Sequence, residues 1–222
     1  MLDILYKDRD VIAVLKPAGM PAQPDKTTDT DVISALSAQL SAEGDDSTLY
    51  LIHRLDRVVG GILVFARNKK AAAALSEQAA GDGMVKEYLA VIDGYLEPGI
   101  LTDMLYKDAR VGKAFVANVG HKDAKHAELA FDIVDKTDSK TLVKIKLKTG
   151  RFHQIRAQFS SRGTPICADG KYGSRDSGAR FPALFAYSLS FSLKRGSVSV
   201  KKLPDTERYP WCIFDKECWS NL

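Results

Sequence analysis

The stretch Leu51 to Asn68 constrains the chain more than any other. A charged block, His53-Arg54-Leu55-Asp56-Arg57, runs through Val58-Val59 and Gly60-Gly61 into the apolar run Ile62-Leu63-Val64-Phe65. Such a run, bounded by glycine, predicts a strand entering the sheet over 62–66. The two glycines let the backbone turn tightly or be approached closely just before it. Arg54 and Arg57 flank Asp56, and nearby positive charge favours a carboxylate's anion. The pattern reads as a carboxylate held at the mouth of a cleft. The plainer alternative is a surface ion pair on a loop leading into a strand, since such pairs are common and weak.

The 222 residues suit one large domain, or one with a small appendage. A hydrophobic share of 45% and a mean hydropathy of −0.16 are those of an ordinary globular protein. No apolar run approaches the roughly 18 residues a membrane helix needs, and the N-terminus shows no basic segment followed by an apolar one. A membrane partner and a secretory signal are therefore not expected. Cys167, Cys212 and Cys218 are an odd set without a C-x-x-C pair. That argues against a disulfide framework and a zinc site, and fits a reducing cytoplasm. Charge is unevenly spread: residues 1–50 carry a net −5, residues 203–222 a net −2, and the middle +11. Lys140 to Arg156 holds six cations and no acid. A basic middle suits a surface facing a polyanion, with a solvated strand face as the alternative.

Local patterns predict strands over 10–15, 62–66, 88–95, 131–135, 142–148, 181–193 and 198–201. Helices are predicted over 32–40, capped by Thr30 or Asp31, and over 69–80, stopped by Gly81-Asp82-Gly83. A third is predicted over 152–162, ended by Gly163 and Pro165. The first should turn Ile33, Leu36 and Leu40 inward. In 142–148, Val143, Ile145 and Leu147 alternate with Lys144, Lys146 and Lys148, giving one buried and one basic face. The pattern over residues 100–126 is irregular and predicts short strands. Residues 205–222 carry no recognised motif, though Trp211, Ile213, Phe214 and Trp219 could dock a terminal segment.

Four blocks together carry a resemblance. Leu51-Ile52-His53-Arg54-Leu55-Asp56, its glycine turn and its strand are similar to the H-R-L-D-x-x-T-S-G-L motif of the RluA-type pseudouridine synthases. Lys86-Glu87-Tyr88-Leu89-Ala90 to Gly94 resembles the family's K-x-Y-x-A-x-x-x-G. Thr149-Gly150-Arg151-Phe152-His153-Gln154-Ile155-Arg156, followed by Gly163-Thr164-Pro165-Ile166 and Lys171-Tyr172-Gly173, resembles T-G-R-x-H-Q-I-R and its sequel. Lys16-Pro17-Ala18-Gly19 resembles the N-terminal K-P-x-G turn, and reads as structural rather than catalytic. The resemblance covers residues 2–195 or so. It departs at Val58-Val59-Gly60-Gly61, where the family has Asp-Thr-Ser-Gly, and at Thr164 and Phe185, where it has histidines.

The resemblance implies an α+β fold with a mixed, mainly antiparallel sheet, flanking helices and a central basic cleft. The catalytic domain would occupy residues 1–204, without a preceding S4-like domain, and 205–222 would be a tail. The implied activity is isomerisation of uridine to pseudouridine in ribosomal or transfer RNA, in the cytoplasm, by a monomer needing neither cofactor nor metal. By position, Asp56 is the catalytic carboxylate and Arg156 its charge partner, while Tyr88 stacks on the target base. Arg54 fills the space of the displaced nucleotide, because a stacked uridine must be flipped out to be reached. His53, Arg151 and His153 are expected to face RNA, and Lys144, Lys146 and Lys148 to contact phosphates. Two other classes fit less well: a non-catalytic RNA-binding protein, supported by the Val58-Val59 departure, and an unrelated carboxylate hydrolase acting on nucleosides.

Overall fold

Apolar alternation and glycine punctuation become eleven strands and three α-helices in the computed structural model, which describes residues 1–222. In chain order they are β1 (Asp3–Lys7), β2 (Val11–Lys16), α1 (Val32–Ala42), β3 (Tyr50–Leu51), β4 (Gly60–Ala66), α2 (Lys69–Ala80) and β5 (Val85–Asp93). Then follow β6 (Gly99–Asp108), β7 (Lys113–Val116), β8 (Lys125–Lys136), β9 (Lys140–Leu147), α3 (Gln154–Ser161), β10 (Leu184–Leu193) and β11 (Gly196–Lys201). The class is α+β, with a large, mainly antiparallel sheet and few helices. No helix is long and apolar enough to cross a membrane. The chain divides into two units, one of residues 1–86 and 186–203, the other of residues 87–185 and 204–222.

In the first unit the strands run β1-β2-β4-β10, with β3 paired to β4 and β11 to β10. Every residue of β4 is buried. Ile62, Val64 and Ala66 on one face of it pack with Ala71 and Leu75 of α2 and with Leu189 and Phe191 of β10. Burial of each large side chain contributes about 1.5–3 kcal/mol, so tertiary packing secures this short strand. The helices start at side-chain caps. Asp31 accepts from the Ser34 amide and Asn68 from the Ala71 amide, each cap worth about 1 kcal/mol. In α1 the buried stripe is Val32, Leu36 and Leu40, and Ile33 is only half-buried. Capping at Asp31 sets the rotation, and an i, i+4, i+8 stripe replaces the expected one.

In the second unit the order is β5-β9-β8-β6-β7. Residues 100–126, where short strands are expected, hold most of a ten-residue β6, all of β7 and the start of β8, with β6 lying between β7 and β8. Leu101 and Leu105 of β6 are buried, while Ile100 and Met104 on the other face are exposed. The alternation is masked in the sequence by Asp103, which sits between those leucines on the inward face. There it accepts from Gln158 Nε2 of α3 at 2.7 Å and from Nη1 of Arg162, the residue that ends that helix, at 2.9 Å. Ion pairing lets a carboxylate occupy a position that patterning reserves for an apolar residue. α3 itself begins two residues later than expected, because His153 takes a left-handed conformation (φ 52°) that a helix interior excludes.

The segment 205–222 packs by aromatic anchors. Trp211 and Phe214 are buried, whereas Ile213 stays largely exposed. Tyr209 donates its hydroxyl to Asp176. Asp176 in turn meets Lys140, whose Nζ lies 2.8 Å from it and 2.7 Å from Asp93. Burial works against the Lys140 ammonium, but the hydrogen bonds to Asp176 and Asp93 raise its pKa above the ordinary value. Burial likewise opposes the Asp176 anion, yet the Lys140 and Tyr209 hydrogen bonds hold its pKa down to about 2. A depressed carboxylate pKa stabilises the fold fully above the unfolded value and loses that stabilisation as pH falls through the folded one. Lys140→Met should therefore cost about 3 kcal/mol near neutrality, since it strands two carboxylates. In urea titrations the gap to wild type should hold above about pH 5 and close towards pH 2 as the acids protonate; a gap independent of pH would show that the ion pairs do not carry it.

Candidate active site

The residues singled out in the sequence fall on two pieces of framework, one in each unit. In the first, Asp56 opens a tight turn in which the Val59 amide donates to its carbonyl at 3.0 Å. This turn is tied down from behind by Lys16, which is fully buried at the end of β2. Lys16 Nζ donates to the carbonyls of Pro17 at 3.0 Å, Met20 at 2.6 Å and Arg57 at 3.0 Å. One ammonium thus satisfies three carbonyls and joins the 17–20 turn to the loop that carries Asp56. Burial pushes the Lys16 pKa down to about 8, with the charge of Asp56 opposing that shift and Arg57 adding to it.

The glycines after the loop have a specific task. At Gly61 φ is +125°, and a Cβ there would lie 2.3 Å from the carbonyl oxygen of Ala186 in β10. Only glycine admits that backbone approach. Arg57 does not turn towards Asp56. Its Nε donates to the Gly19 carbonyl at 3.0 Å, and its Nη atoms reach Thr27, Asp25 and Asp29. Lys16, for which the sequence suggests only a structural part, interacts electrostatically with Asp56. Arg54 is exposed. His53 accepts from the Val64 amide of β4 at 3.4 Å through Nε2, and burial, then the charge of Lys86, pushes its pKa down to about 4. It is a neutral imidazole resting on the sheet.

In the second unit, Tyr88 is 7% exposed on β5, beside the fully buried Leu89 to Ile92. Arg156 is buried in the first turn of α3 and forms a two-pronged pair with buried Asp169, Nε to Oδ2 at 2.6 Å and Nη2 to Oδ1 at 2.8 Å. This is the bidentate geometry that best offsets the desolvation of both groups. The Tyr172 ring lies 4.8 Å from the Arg156 guanidinium carbon. Its hydroxyl accepts from the Ala114 amide at 2.8 Å and lies 2.8 Å from His153 Nδ1. Burial, then the charges of Arg156, Lys171 and Lys107, push the His153 pKa down to about 3, so this ring too is neutral.

Gln154 locks the turn that precedes α3. Its Oε1 accepts from Thr149 Oγ1 at 2.7 Å and the Arg151 amide at 3.0 Å, while its Nε2 donates to the Glu128 carbonyl. The side chains of Thr149 and Gln154 thereby have a mechanical reason to be what they are. Tyr172 belongs to the Lys171-Tyr172-Gly173 block without an expected role, and Asp169, between the two motif blocks, is not expected from the sequence at all. The signal at Tyr172 is position alone.

Of the three lysines, Lys148 follows the end of β9 and its amide donates to the Glu128 carbonyl at 3.2 Å, whereas the other two lie apart from this framework. Lys144 and Lys146 leave β9 on the face opposite Ile145, and the cross-strand neighbour of Ile145 is Phe131, which packs on Phe159 of α3. They therefore project away from the helix bearing Arg156, and Lys144 faces Asp132 across the strands. A metal has one geometrically plausible place, where donor atoms of Asp93, Cys167 and Asp176 come within 4.8 Å of one another. Lys140 already supplies the cation there, and burial raises the Cys167 thiol to about 11. This donor set does not suit a metal.

Lys16→Met should destabilise the first unit by about 2–4 kcal/mol at neutral pH, because three buried carbonyls lose their donor. The pH dependence identifies the cause. Lys16 titrates near 8 when folded and near 10.5 when unfolded, so the unfolded state binds more protons between those values and wild-type stability gains with pH there. The stability difference between wild type and Lys16→Met should accordingly grow from about pH 8 to pH 10.5; a flat difference would mean that Lys16 is not charged and buried as described.

Comparison with known proteins extends what the geometry supports. Residues 10–161 match the family model described as RNA pseudouridylate synthase. The uncharacterized RNA pseudouridine synthase YlyB of Bacillus subtilis (strain 168) is 31% identical over 180 residues, which cover 78% of this chain and 58% of that protein. The tRNA pseudouridine synthase C of Haemophilus ducreyi is 33% identical over 182 residues, 78% of this chain and 74% of that one. The chain spans little more than half the length of several such relatives, as with the 54% of ribosomal large subunit pseudouridine synthase C from Escherichia coli (strain K12). Among solved structures, human RNA pseudouridylate synthase domain containing 1 superposes with a TM-score of 0.79 at 22% identity, over 98% of this chain and 87% of that one. At that identity the likeness concerns the fold. The matched segment contains all of Asp56, Tyr88 and Arg156, and on it the chain belongs to the RNA pseudouridylate synthase family.

Proposed function

We propose that this chain isomerises uridines in ribosomal or transfer RNA to pseudouridine, with Asp56 as the catalytic carboxylate and the cytoplasm as its setting. The observation that carries the reading is that the family match spans residues 10–161 and so includes all three motif residues. The reaction breaks the bond between N1 and C1′, turns the base, joins C5 to C1′, removes the C5 proton and leaves N1 protonated. It is an isomerisation, so electrons and atoms balance without a co-reactant. The uracil anion is a competent leaving group, and one carboxylate suffices where a glycosidase commonly uses two. Asp56 acts as covalent nucleophile or as base in an elimination route.

Its neighbours keep it an anion. Lys16 supplies positive charge from within the same unit, and the reading assigns the same task to Arg156, whose guanidinium is held in plane by Asp169 and covered by Tyr172. Tyr88 is assigned the target base. The rival reading, an RNA-binding protein without turnover, gives no reason for a carboxylate placed beside a buried lysine.

Asp56→Asn should lower release of tritium from RNA labelled at uridine C5 by far more than tenfold, a barrier increase well above about 1.4 kcal/mol, while RNA binding stays close to wild type. Turnover within tenfold of wild type would remove Asp56 from the chemistry, and binding without any wild-type turnover would favour the non-catalytic protein.

Tyr88 separates stacking from chemistry. Base stacking on an aromatic ring is worth about 1–3 kcal/mol, so Tyr88→Leu should lose binding and turnover. Tyr88→Phe should turn over normally if the ring only stacks, and should stall before tritium release if the hydroxyl helps remove the C5 proton. Normal tritium release from Tyr88→Leu would show a packing residue.

A further inference from the structure

Within the second unit, the β6–β7 hairpin, the 122–125 loop and the turn before α3 enclose an open hollow of about 600 Å³. Gly150, Arg151 and Phe152 of the Thr149–Arg156 motif lie on its wall, and of these only Arg151 is expected from the sequence to face RNA. Lys107, Lys122, Lys125 and Arg151 line it, with Asp123 as the one acid. Leu105, Tyr106, Ala114 and Ala124 add apolar wall, and Phe152, 38% exposed, contributes an accessible aromatic ring. One face of that ring is backed by His153, stacked at 3.8 Å between centroids with an 18° tilt. On the ring also rests the Lys107 ammonium, 4.5 Å from its centre. Arg151 is fixed at the rim, its Nε donating to the His126 carbonyl at 2.7 Å.

A ligand matching these features needs a planar π surface for Phe152 and several negative charges spaced along a flexible backbone. Inorganic phosphate has no use for the ring, and an acidic peptide has no use for its flat, backed face. A nucleotide within single-stranded RNA supplies both. The hollow is of nucleotide size. It is also mechanically connected to the candidate site: Phe152 stacks on His153, His153 meets the Tyr172 hydroxyl, and the Tyr172 ring lies on Arg156. His153 is neutral, so it backs the ring without adding to the local charge.

We propose that this hollow is a subsite for one nucleotide of the RNA strand, a neighbour of the reacting uridine. Its base takes the place of the Lys107 ammonium on Phe152, and its flanking phosphates pair with Lys107, Lys122, Lys125 and Arg151. The inference rests on the RNA reading above. It makes the α3 side of the sheet, rather than the Lys144–Lys146 face, the surface along which the strand runs.

The test uses a fluorescein-labelled oligouridine of about twelve nucleotides, within the range single-strand sites span, and anisotropy at several salt concentrations. Phe152→Ala should weaken binding roughly tenfold with an unchanged melting temperature. Lys107→Ala with Lys122→Ala should reduce the salt slope by about 0.7 per lysine, whereas Lys144→Ala with Lys146→Ala should leave it as it is. Irradiating an oligomer containing 5-iodouridine should cross-link the tryptic peptide 152–156, which begins with Phe152. Wild-type affinity and slope in both hollow variants, with cross-links confined to other peptides, would overturn the subsite and leave the RNA reading standing. Failure of the wild-type protein to bind the oligomer at all would overturn that reading and the subsite with it.

Discussion

A buried ammonium is the interaction on which the candidate catalytic loop depends. Lys16 cannot lie in the interior without compensation, because the desolvation of an unpaired charge costs several kcal/mol. Three carbonyls from two separate turns provide that compensation. Since those carbonyls belong to Pro17, Met20 and Arg57, the same contacts that make the lysine tolerable fix the loop carrying Asp56 against the end of β2. Gly61 completes the arrangement by letting β10 approach the backbone more closely than any side chain would permit. The loop is therefore held through its backbone on both sides, and Val59, between those two points in the chain, is buried.

The second unit solves an analogous problem with a different residue. An arginine buried at the start of α3 is compensated by a bidentate carboxylate and an aromatic face. Guanidinium suits this place because its fork can be satisfied on one edge by Asp169 and still present further donors, which an ammonium of the same charge could not do with fixed geometry. Gln154 and Tyr172 then extend the network to the preceding turn and to β7, so that the helix start, the motif turn and the hairpin share one set of hydrogen bonds. Networks of this kind are rigid when fully satisfied, and rigidity is what a positioned charge requires.

Local rules captured most elements. The 69–80 helix, the Asp31 cap and the alternation of β9 follow from propensity, capping and period, which are properties of neighbours in sequence. They failed at β6, where Asp103 breaks the apolar alternation and is repaid by Gln158 of a helix more than fifty residues away and by Arg162 at its end. They failed again at the start of α3, where the left-handed His153 delays the helix. Arg57 shows the same limit within the site. Adjacent to Asp56 in sequence, it turns to the loop of Asp25, Thr27 and Asp29, because side chains one apart need not share a direction.

The sequence by itself determined the family, the position of Asp56, Tyr88 and Arg156 in their motifs, and the α+β class, since each of these is written in residue types at fixed local spacing. Only the tertiary structure decided that Lys16 is the buried cation next to Asp56 in its unit, that Asp169 and Tyr172 hold Arg156, and that Lys144 and Lys146 face away from α3. It also decided that Phe152 stands open to solvent above a basic hollow. The reason is physical: burial, the loss of solvation and the partner that restores it are set by residues distant in the chain, and a charge acquires its meaning only when the groups that compensate it are in place.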